Sequence, residues 1–385
     1  MNRLLNIHYS AELSLKGENR IEFEKVLVDN LKYALHGIEY ERIEKKERRI
    51  LVYLNEKTDI EKAHQAIARI FGISWFALSY SLERDIKKLA DCVLDYAKKN
   101  YSGKKIKIET TRSDKTYSKT SMDLSMEIGK IIENAGVGID VKKPDEKIFI
   151  EIMRNQFLVS FGKIQGLGGL PIGSSNRLLC LLSGGIDSPV ASWLMMKRGC
   201  EIDFLHIHNY PSDEEVVKSK IAELIKVLRR YLPFKTRLHV VSYQEFNQAT
   251  MDVDPRLELV LFRRFIAKLA SEMCKENRMF GVITGDSMGQ VASQTIENLY
   301  ATDEAFTVPV YRPLIAYDKQ DIIYLAQKIG TFDLSIEKYK DCCSLVAAKH
   351  PSTRVKLEDV KRIEHEIGID EILEKTMKEI SVVEI

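Results

Sequence analysis

An apolar run, Leu178 to Leu182, ends in Ser183-Gly184-Gly185-Ile186-Asp187-Ser188 and passes straight into a helical pattern from Pro189 to Arg198. A strand that is apolar at successive positions has to be covered on both faces, so it belongs inside a sheet. The alternation continues along the chain. Strands at 178–182, 201–208, 237–242 and 279–284 are separated by helices at 188–198, 213–231 and 256–276. Short apolar strands alternating with long helices predict a doubly wound parallel sheet, an α/β architecture. Ligands of such sheets sit beyond the carboxyl ends of the strands. The segments to search are therefore 183–188, 206–211, 243–254 and 284–295.

The first of these is an anion cradle. Glycines at 184 and 185 remove the Cβ atoms that would keep a ligand away from the backbone. Loop amides and a helix N-terminus together favour negative charge. Ser183 and Ser188 add hydroxyls, and Pro189 suits a first helical turn. No Lys follows, which excludes the G-x-x-x-x-G-K-[ST] loop. The string resembles the SGGxDS loop of ATP pyrophosphatases, which transfer AMP. In that light Asp187 helps hold Mg²⁺ or orients the leaving group. The plainer alternative is a glycine turn between strand and helix.

The 385 residues suffice for two or three domains. No apolar run is long enough to span a bilayer, and the N-terminus has no signal-peptide pattern. Cysteines at 92, 180, 200, 274, 342 and 343 form neither a C-x-x-C pair nor a disulfide framework, so the expected compartment is the reducing cytoplasm. Charge is uneven. Residues 1–56 carry 10 Lys/Arg and 10 Asp/Glu, residues 57–165 carry 20 and 15, and residues 166–385 carry 28 and 31. A basic middle hints at a polyanionic partner, against the alternative of an ordinary solvated surface.

Residues 1–56 read as strand 4–9, helix 20–35, strand 38–44 and strand 50–54, followed by helix 59–70 and strand 73–82. The order βαββαβ suggests a ferredoxin-like unit whose last helix and strand lie at a border. Helix 86–99, strand 105–111, polar loop 112–119, helix 121–134 and strands 147–153 and 156–163 make a second α/β unit. The glycine-rich stretch Gly166–Gly173 marks the main domain boundary. In the polar loop, Arg112, Lys115, Tyr117 and Lys119 have spacing suited to contact with a polyanion backbone, against the alternative of an ordinary solvated loop.

Further residues converge on the parallel sheet. His206 and His208 end a strand, where lining a nucleotide pocket through backbone groups is favoured over metal binding. Thr284-Gly285-Asp286-Ser287 through Gln294-Thr295 mixes glycines, hydroxyls and amides as a nucleotide-contacting loop would. One of Arg263 and Arg264 can reach phosphate with a bidentate fork. Asp318 caps a helix. Cys342-Cys343 is a vicinal pair in a charged, loop-like stretch, where a thiolate or persulfide could attack an activated carbon. Cys92, Cys180, Cys200 and Cys274 read as structural.

Together these strings resemble the tRNA 4-thiouridine synthetase (tRNA sulfurtransferase) family. The likeness includes Glu12-Leu13-Ser14-Leu15-Lys16-Gly17-Glu18-Asn19-Arg20, Gly166–Gly173, Ser183–Ser188, Gly285–Thr295, Arg312-Pro313-Leu314 and Asp341-Cys342-Cys343. It implies a ferredoxin-like domain (1–56), an RNA-binding THUMP domain (57–165), a linker (166–176) and a PP-loop ATP pyrophosphatase domain of the adenine nucleotide alpha-hydrolase-like class (177–385). It implies adenylation of the uridine at tRNA position 8 with ATP and Mg²⁺, then displacement of AMP by persulfide sulfur. Carried over, the ATP contacts fall on Leu181, Leu182, Ser183, Gly184, Gly185, Asp187, Ser188, His206, Ile207, Arg263, Gly285 and Gln294, and the sulfur-carrying cysteine best on Cys342, with Cys343 as its neighbour. Longer members add a rhodanese domain. Here a helical Glu/Lys-rich tail is expected instead, so a cysteine desulfurase or another persulfide carrier is implied. A homodimer and a link to thiamine thiazole synthesis are also implied. Competing readings are a small-molecule ligating pyrophosphatase and a noncatalytic RNA-binding protein.

Overall fold

The computed structural model describes residues 2–339, 342–346, 348–349 and 351–385, with the side chains of Cys343 and Ser344 outside that description. Contacts divide the chain into two units, residues 1–171 and 172–385.

The first unit opens with β1 (Asn2–Tyr9), β2 (Arg42–Lys46), β3 (Arg49–Tyr53) and β4 (Ile73–Leu82), with helices Arg20–Ala34 and Ile60–Ile67 interposed as βαββαβ. It continues through helix Ile86–Asn100, β5 (Ile106–Arg112), helix Ser121–Asn134, β6 (Glu146–Ile152), β7 (Phe157–Phe161) and β8 (Ile164–Gln165). All eight strands share one sheet, in the order β2-β3-β1-β4-β7-β6-β5, with β8 beside β4. β4 pairs antiparallel with β1 over Ile73–Ser81 and with β7 over Ser79–Leu82. The expected border at residue 56 falls ahead of this shared strand. β1 alternates as a two-faced strand should. Leu5 and Ile7 pack with Leu27, Leu31 and Ile67, while Leu4 packs on the other face with Leu51, Met153 and Leu158. The helix at Ser121 starts where the sequence places it because Thr120 and Asp123 form a reciprocal capping box.

The second unit holds β9 (Arg177–Leu181), β10 (Glu201–His208), β11 (Arg237–Ser242), β12 (Val282–Ile283), β13 (Val310–Tyr311) and β14 (Ser381–Glu384), in the order β13-β12-β9-β10-β11-β14. The first five are mutually parallel, as expected. Three local expectations are corrected. The helix expected over 213–231 breaks into Asp213–Val217 and Lys220–Arg229, because the Ser219 hydroxyl caps the second piece. The tail is helical at Leu357–Glu366 and Ile369–Lys378, but Ser381–Glu384 forms an antiparallel edge strand on β11, with Val383 opposite Leu238. β-branched residues beside an open sheet edge favour that outcome. Cys342 does not sit in a loop but opens the short helix Cys342–Val346. Among the described residues no helix is long and apolar enough to cross a membrane.

Candidate active site

The Ser183–Ser188 turn leaves the carboxyl end of β9 and enters helix Asp187–Met196. Its serines brace the turn itself. The Ser183 amide donates to Ser188 Oγ (2.9 Å), Ser188 Oγ donates to the Ser183 carbonyl (3.3 Å), and the Gly185 amide donates to Ser183 Oγ (3.3 Å). A Cβ on Gly285 would lie 2.8 Å from the Ser188 amide nitrogen and 3.0 Å from the Asp187 carbonyl carbon. The loop after β12 thus presses its backbone against the first turn of the helix, an approach that only glycine permits. Asp187 receives Lys319 Nζ at 2.6 Å on one oxygen and Gln290 Nε2 at 3.0 Å on the other.

A cavity of about 270 Å³ opens beside this turn. Leu181, Leu182, Ser183, Asp187, Ser188, His206, Ile207, Arg263, Gly285, Gln294 and Cys342 all line it, so most of the residues singled out in the sequence come together here. Gly184 and Gly185 are in the adjoining turn rather than in the lining. Leu259, Phe262, Ile266 and Phe306 supply an apolar wall. An apolar pocket with a few convergent polar groups suits a nucleotide.

Asp286, which the sequence reading quoted without a role, organises the polar side. It accepts from Arg263 (2.6 Å), Gln294 (3.3 Å), Thr284 (2.7 Å) and Arg312 (3.2 Å). Burial by itself would push its carboxyl up, but Arg263, Thr284 and Arg312 outweigh burial and hold it at about 2. Arg263 also donates to Ser293 Oγ at 3.1 Å, which fixes the guanidinium at the cavity wall. Arg264 has a different task. It is buried and meets Glu364 through two bonds of 2.8 and 2.9 Å.

His206 lines the cavity, and both nitrogens of its ring are engaged within the fold. Nδ1 lies 2.8 Å from the Leu182 carbonyl and Nε2 2.8 Å from the Tyr339 hydroxyl. His208 instead meets Asp213 at 2.7 Å. Cys342 is 1% exposed, and its Sγ donates to the Ile207 carbonyl at 3.4 Å. The Cys343 side chain lies outside the described residues. Burial pushes the thiols of Cys92 and Cys200 up to about 11 and that of Cys274 up to about 12, and raises Cys180 too, so these four are poor nucleophiles. The sequence assigns no individual role to Lys319, Gln290 or Tyr339, although Gln290 lies in the 284–295 segment expected at the site. Lys319 directly follows the capping Asp318, and that adjacency was the available signal.

In the first unit, the polar loop after β5 is largely tied to its own fold. Arg112 donates to the Lys119 carbonyl (3.2 Å), and Lys119 Nζ meets Glu127 at 2.5 Å. Tyr117 packs edge-on against Phe157 with the Arg84 guanidinium over its ring. Lys115 is exposed.

Residues 173–369 match the model of the family "Thiamine biosynthesis protein (ThiI)"; residues 4–77 match its ferredoxin-like domain and residues 83–161 the THUMP domain. A protein of Caldanaerobacter subterraneus subsp. tengcongensis named as a tRNA sulfurtransferase is 39% identical over 383 residues, covering 99% of each chain. One so named from Thermoanaerobacter sp. is 37% identical, again over 99% of each. The solved structure of a 4-thiouridine synthetase in complex with RNA and bound ATP superposes with a TM-score of 0.89 at 29% identity over 100% of both chains. The PH1313 protein of Pyrococcus horikoshii Ot3 gives 0.67 at 26% identity, over 86% of this chain and 100% of that one. With the pyrophosphatase turn, the THUMP unit and these relatives in agreement, the chain belongs to the ThiI family of tRNA sulfurtransferases.

Proposed function

We propose that the second unit adenylates O4 of the uridine at position 8 of tRNA and that Cys342 then delivers sulfur to C4, yielding 4-thiouridine. The observation that carries this reading is the meeting of the Ser183–Ser188 turn, Arg263 and Cys342 on one cavity. Leu181, Leu182, His206, Ile207 and Gln294 hold the adenosine part of ATP, and Gly285 lets the turn close. Gly184, Gly185, Ser183 and Ser188 receive the phosphates, with Arg263 adding positive charge.

Uridine O4 attacks the α-phosphorus, the α–β bond breaks, and pyrophosphate leaves. AMP then replaces a poor leaving group. The outer sulfur of a Cys342 persulfide attacks C4 and the C4–O bond breaks with AMP. A second thiol, Cys343 or an external one, cleaves the remaining S–S bond and leaves sulfur on C4. Asp187 is the carboxylate at the mouth of the turn that would face Mg²⁺, on giving up Lys319 or Gln290, which now occupy its two oxygens; an ion that keeps several waters and phosphate oxygens needs few protein ligands. Bound there, Mg²⁺ would neutralise charge on the leaving pyrophosphate.

Arg112, Lys115, Tyr117 and Lys119 form the tRNA-facing loop of the THUMP unit. Lys115 offers a direct phosphate contact, and the other three hold the loop's shape. A cysteine desulfurase or similar carrier supplies persulfide to a cytoplasmic homodimer, and the same chemistry serves the thiamine thiazole ring. The domains are taken as 1–56, 57–165 and 177–385, with 166–176 between them. Incubation with unmodified tRNA, ATP, Mg²⁺ and a persulfide donor, followed by nucleoside analysis, is expected to yield 4-thiouridine. If tRNA never triggers pyrophosphate release, the proposal fails.

A further inference from the structure

We propose that the tip of the β2–β3 hairpin and the turn between β6 and β7 form a phosphate-binding corner for the tRNA backbone, with Arg48 and Arg154 as its contacts beside Lys115. The inference rests on the reading of tRNA as substrate and carries it to residues outside the 112–119 loop. Curling of the sheet assembles the corner. On a flat sheet β3 and β6, four steps apart in the strand order, would be separated by about 19 Å. Here Arg49, the first residue of β3, forms a buried ion pair with Glu151 of β6. Its Nη2 also donates to Ser113 Oγ at 2.8 Å, one residue beyond β5. The amide of Arg154, in the turn after β6, donates to Glu47 Oε1 at 3.1 Å. The hairpin tip, the β6–β7 turn and the start of the polar loop therefore meet, across 64 positions in one contact and 107 in the other.

Charge at this corner is unbalanced. Arg49 meets Glu151 and Arg84 meets Asp114, so those two carboxylates are matched. Glu47 uses one oxygen on the Arg154 amide. Lys46, Arg48, Lys115 and Arg154 form no ion pair among the described residues. Arg48, Lys115 and Arg154 are exposed. Surplus positive charge at one end of the sheet draws a polyanion, and guanidinium forks match the oxygens of a phosphate.

The hairpin tip adds a second, independent observation. β2 and β3 pair as far as Lys46 opposite Arg49, so Glu47 and Arg48 are the whole loop. Both have positive φ, 47° and 64°. Such a loop favours Asn-Gly, because a residue with a Cβ resists positive φ. Glu47 has a structural task there, its bond to the Arg154 amide. For Arg48, no hydrogen bond or ion pair among the described residues accounts for a bulky side chain at that position. Contact with an external partner explains strain retained beneath an exposed cation.

The test is filter binding of unmodified tRNA to the full chain over a range of salt concentrations. Arg48→Gly removes one charge and suits the positive φ, so stability in urea should hold or rise. Its tRNA affinity should nevertheless fall about five- to eightfold at about 0.1 M salt, with the salt slope lower by about 0.7–0.9, the share of one phosphate contact. Arg154→Gln keeps the amide that Glu47 accepts and should act alike. The double variant should lose about 25- to 60-fold, since separate contacts add. Arg48→Lys keeps the charge and should keep the slope. Lys375→Gln removes an exposed charge from helix Ile369–Lys378 and should leave the slope unchanged. Wild-type affinity and slope in both Arg48→Gly and Arg154→Gln overturn the proposal. An equal drop in Lys375→Gln also overturns it, since that signals net charge alone, as does a loss of affinity with no change of slope. If Arg48→Gly proves less stable than the wild type, Arg154→Gln decides by itself, because it leaves the hairpin tip intact. A wild-type chain that binds no tRNA sinks the corner and the functional reading together. Binding without formation of 4-thiouridine sinks the functional reading and leaves the corner to stand or fall on the slopes.

Discussion

Replacing Asp286 with Asn preserves the shape of the side chain and deletes the charge shared by Arg263 and Arg312. The folded carboxyl sits at about 2, against an ordinary value near 3.9. A lowering of that size is worth on the order of 2–3 kcal/mol of stability at neutral pH. An independent figure comes from the partners. Their side chains are 14% and 13% exposed. Leaving buried arginines without a carboxylate costs about 3–5 kcal/mol, with the lower end fitting this partial exposure. Both routes converge near 3 kcal/mol. The sign with pH follows from the lowered value: the stabilisation is complete above about pH 4 and fades as pH falls toward 2. At pH 3 about half of it remains. Urea unfolding would measure this in a Trp75→Phe background, where Trp193, 3% exposed in the second unit, is the remaining tryptophan reporter. The Asn variant should lose about 2–3 kcal/mol at pH 7 and about half that near pH 3. A loss below about 0.5 kcal/mol at pH 7, or one that stays flat between the two pH values, would refute the account of Asp286 as the hub of the cavity's charge network.

Gly285→Ala puts a methyl group against backbone atoms of the first helical turn, which cannot yield as a side chain would. Pyrophosphate release should fall about 100-fold, with stability lower by about 1–3 kcal/mol; near-normal turnover would show that the contact does not place the turn. Asp187→Ala should abolish tRNA-dependent pyrophosphate release and leave tRNA affinity within about twofold, as filter binding would show. Cys342→Ser should still release pyrophosphate but form no 4-thiouridine, and normal sulfur incorporation would move that role elsewhere. Lys115→Ala should weaken tRNA binding evenly across sequences and lower the salt slope by about one, and an unchanged slope would remove Lys115 from the RNA contacts.

The parts of the molecule that could be read from the chain are those whose physics is local. Strand Ile73–Leu82 and helix Ser121–Asn134 run between the residues expected, the latter because its capping box is written in adjacent residues. The Ser183–Ser188 turn was equally legible as a link from strand to helix, since its glycines, hydroxyls and carboxylate are consecutive. Lys319 and Gln290 were not, because the fold carries them to Asp187 across 132 and 103 positions. Tyr339 was not legible either, because nothing near it in sequence announces that Gly184 leaves room for its ring. The charged setting of Cys342 suggested a loop; the apolar cluster of Phe246, Leu259 and Phe262 that buries it is assembled from other elements. Edge strand Ser381–Glu384 depends on a free side of β11, which no local pattern records.

β4 is hydrogen-bonded to β1 on one edge and to β7 on the other, and Glu151 of β6 reaches across to Asn6 of β1 at 2.9 Å. Bending between the ferredoxin-like and THUMP halves would break a ladder of backbone bonds and part a buried ion pair between Arg49 and Glu151. The two halves consequently behave as a single stiff ruler. A ligand that touched both halves would meet a surface of fixed length, with no joint between them to adjust it.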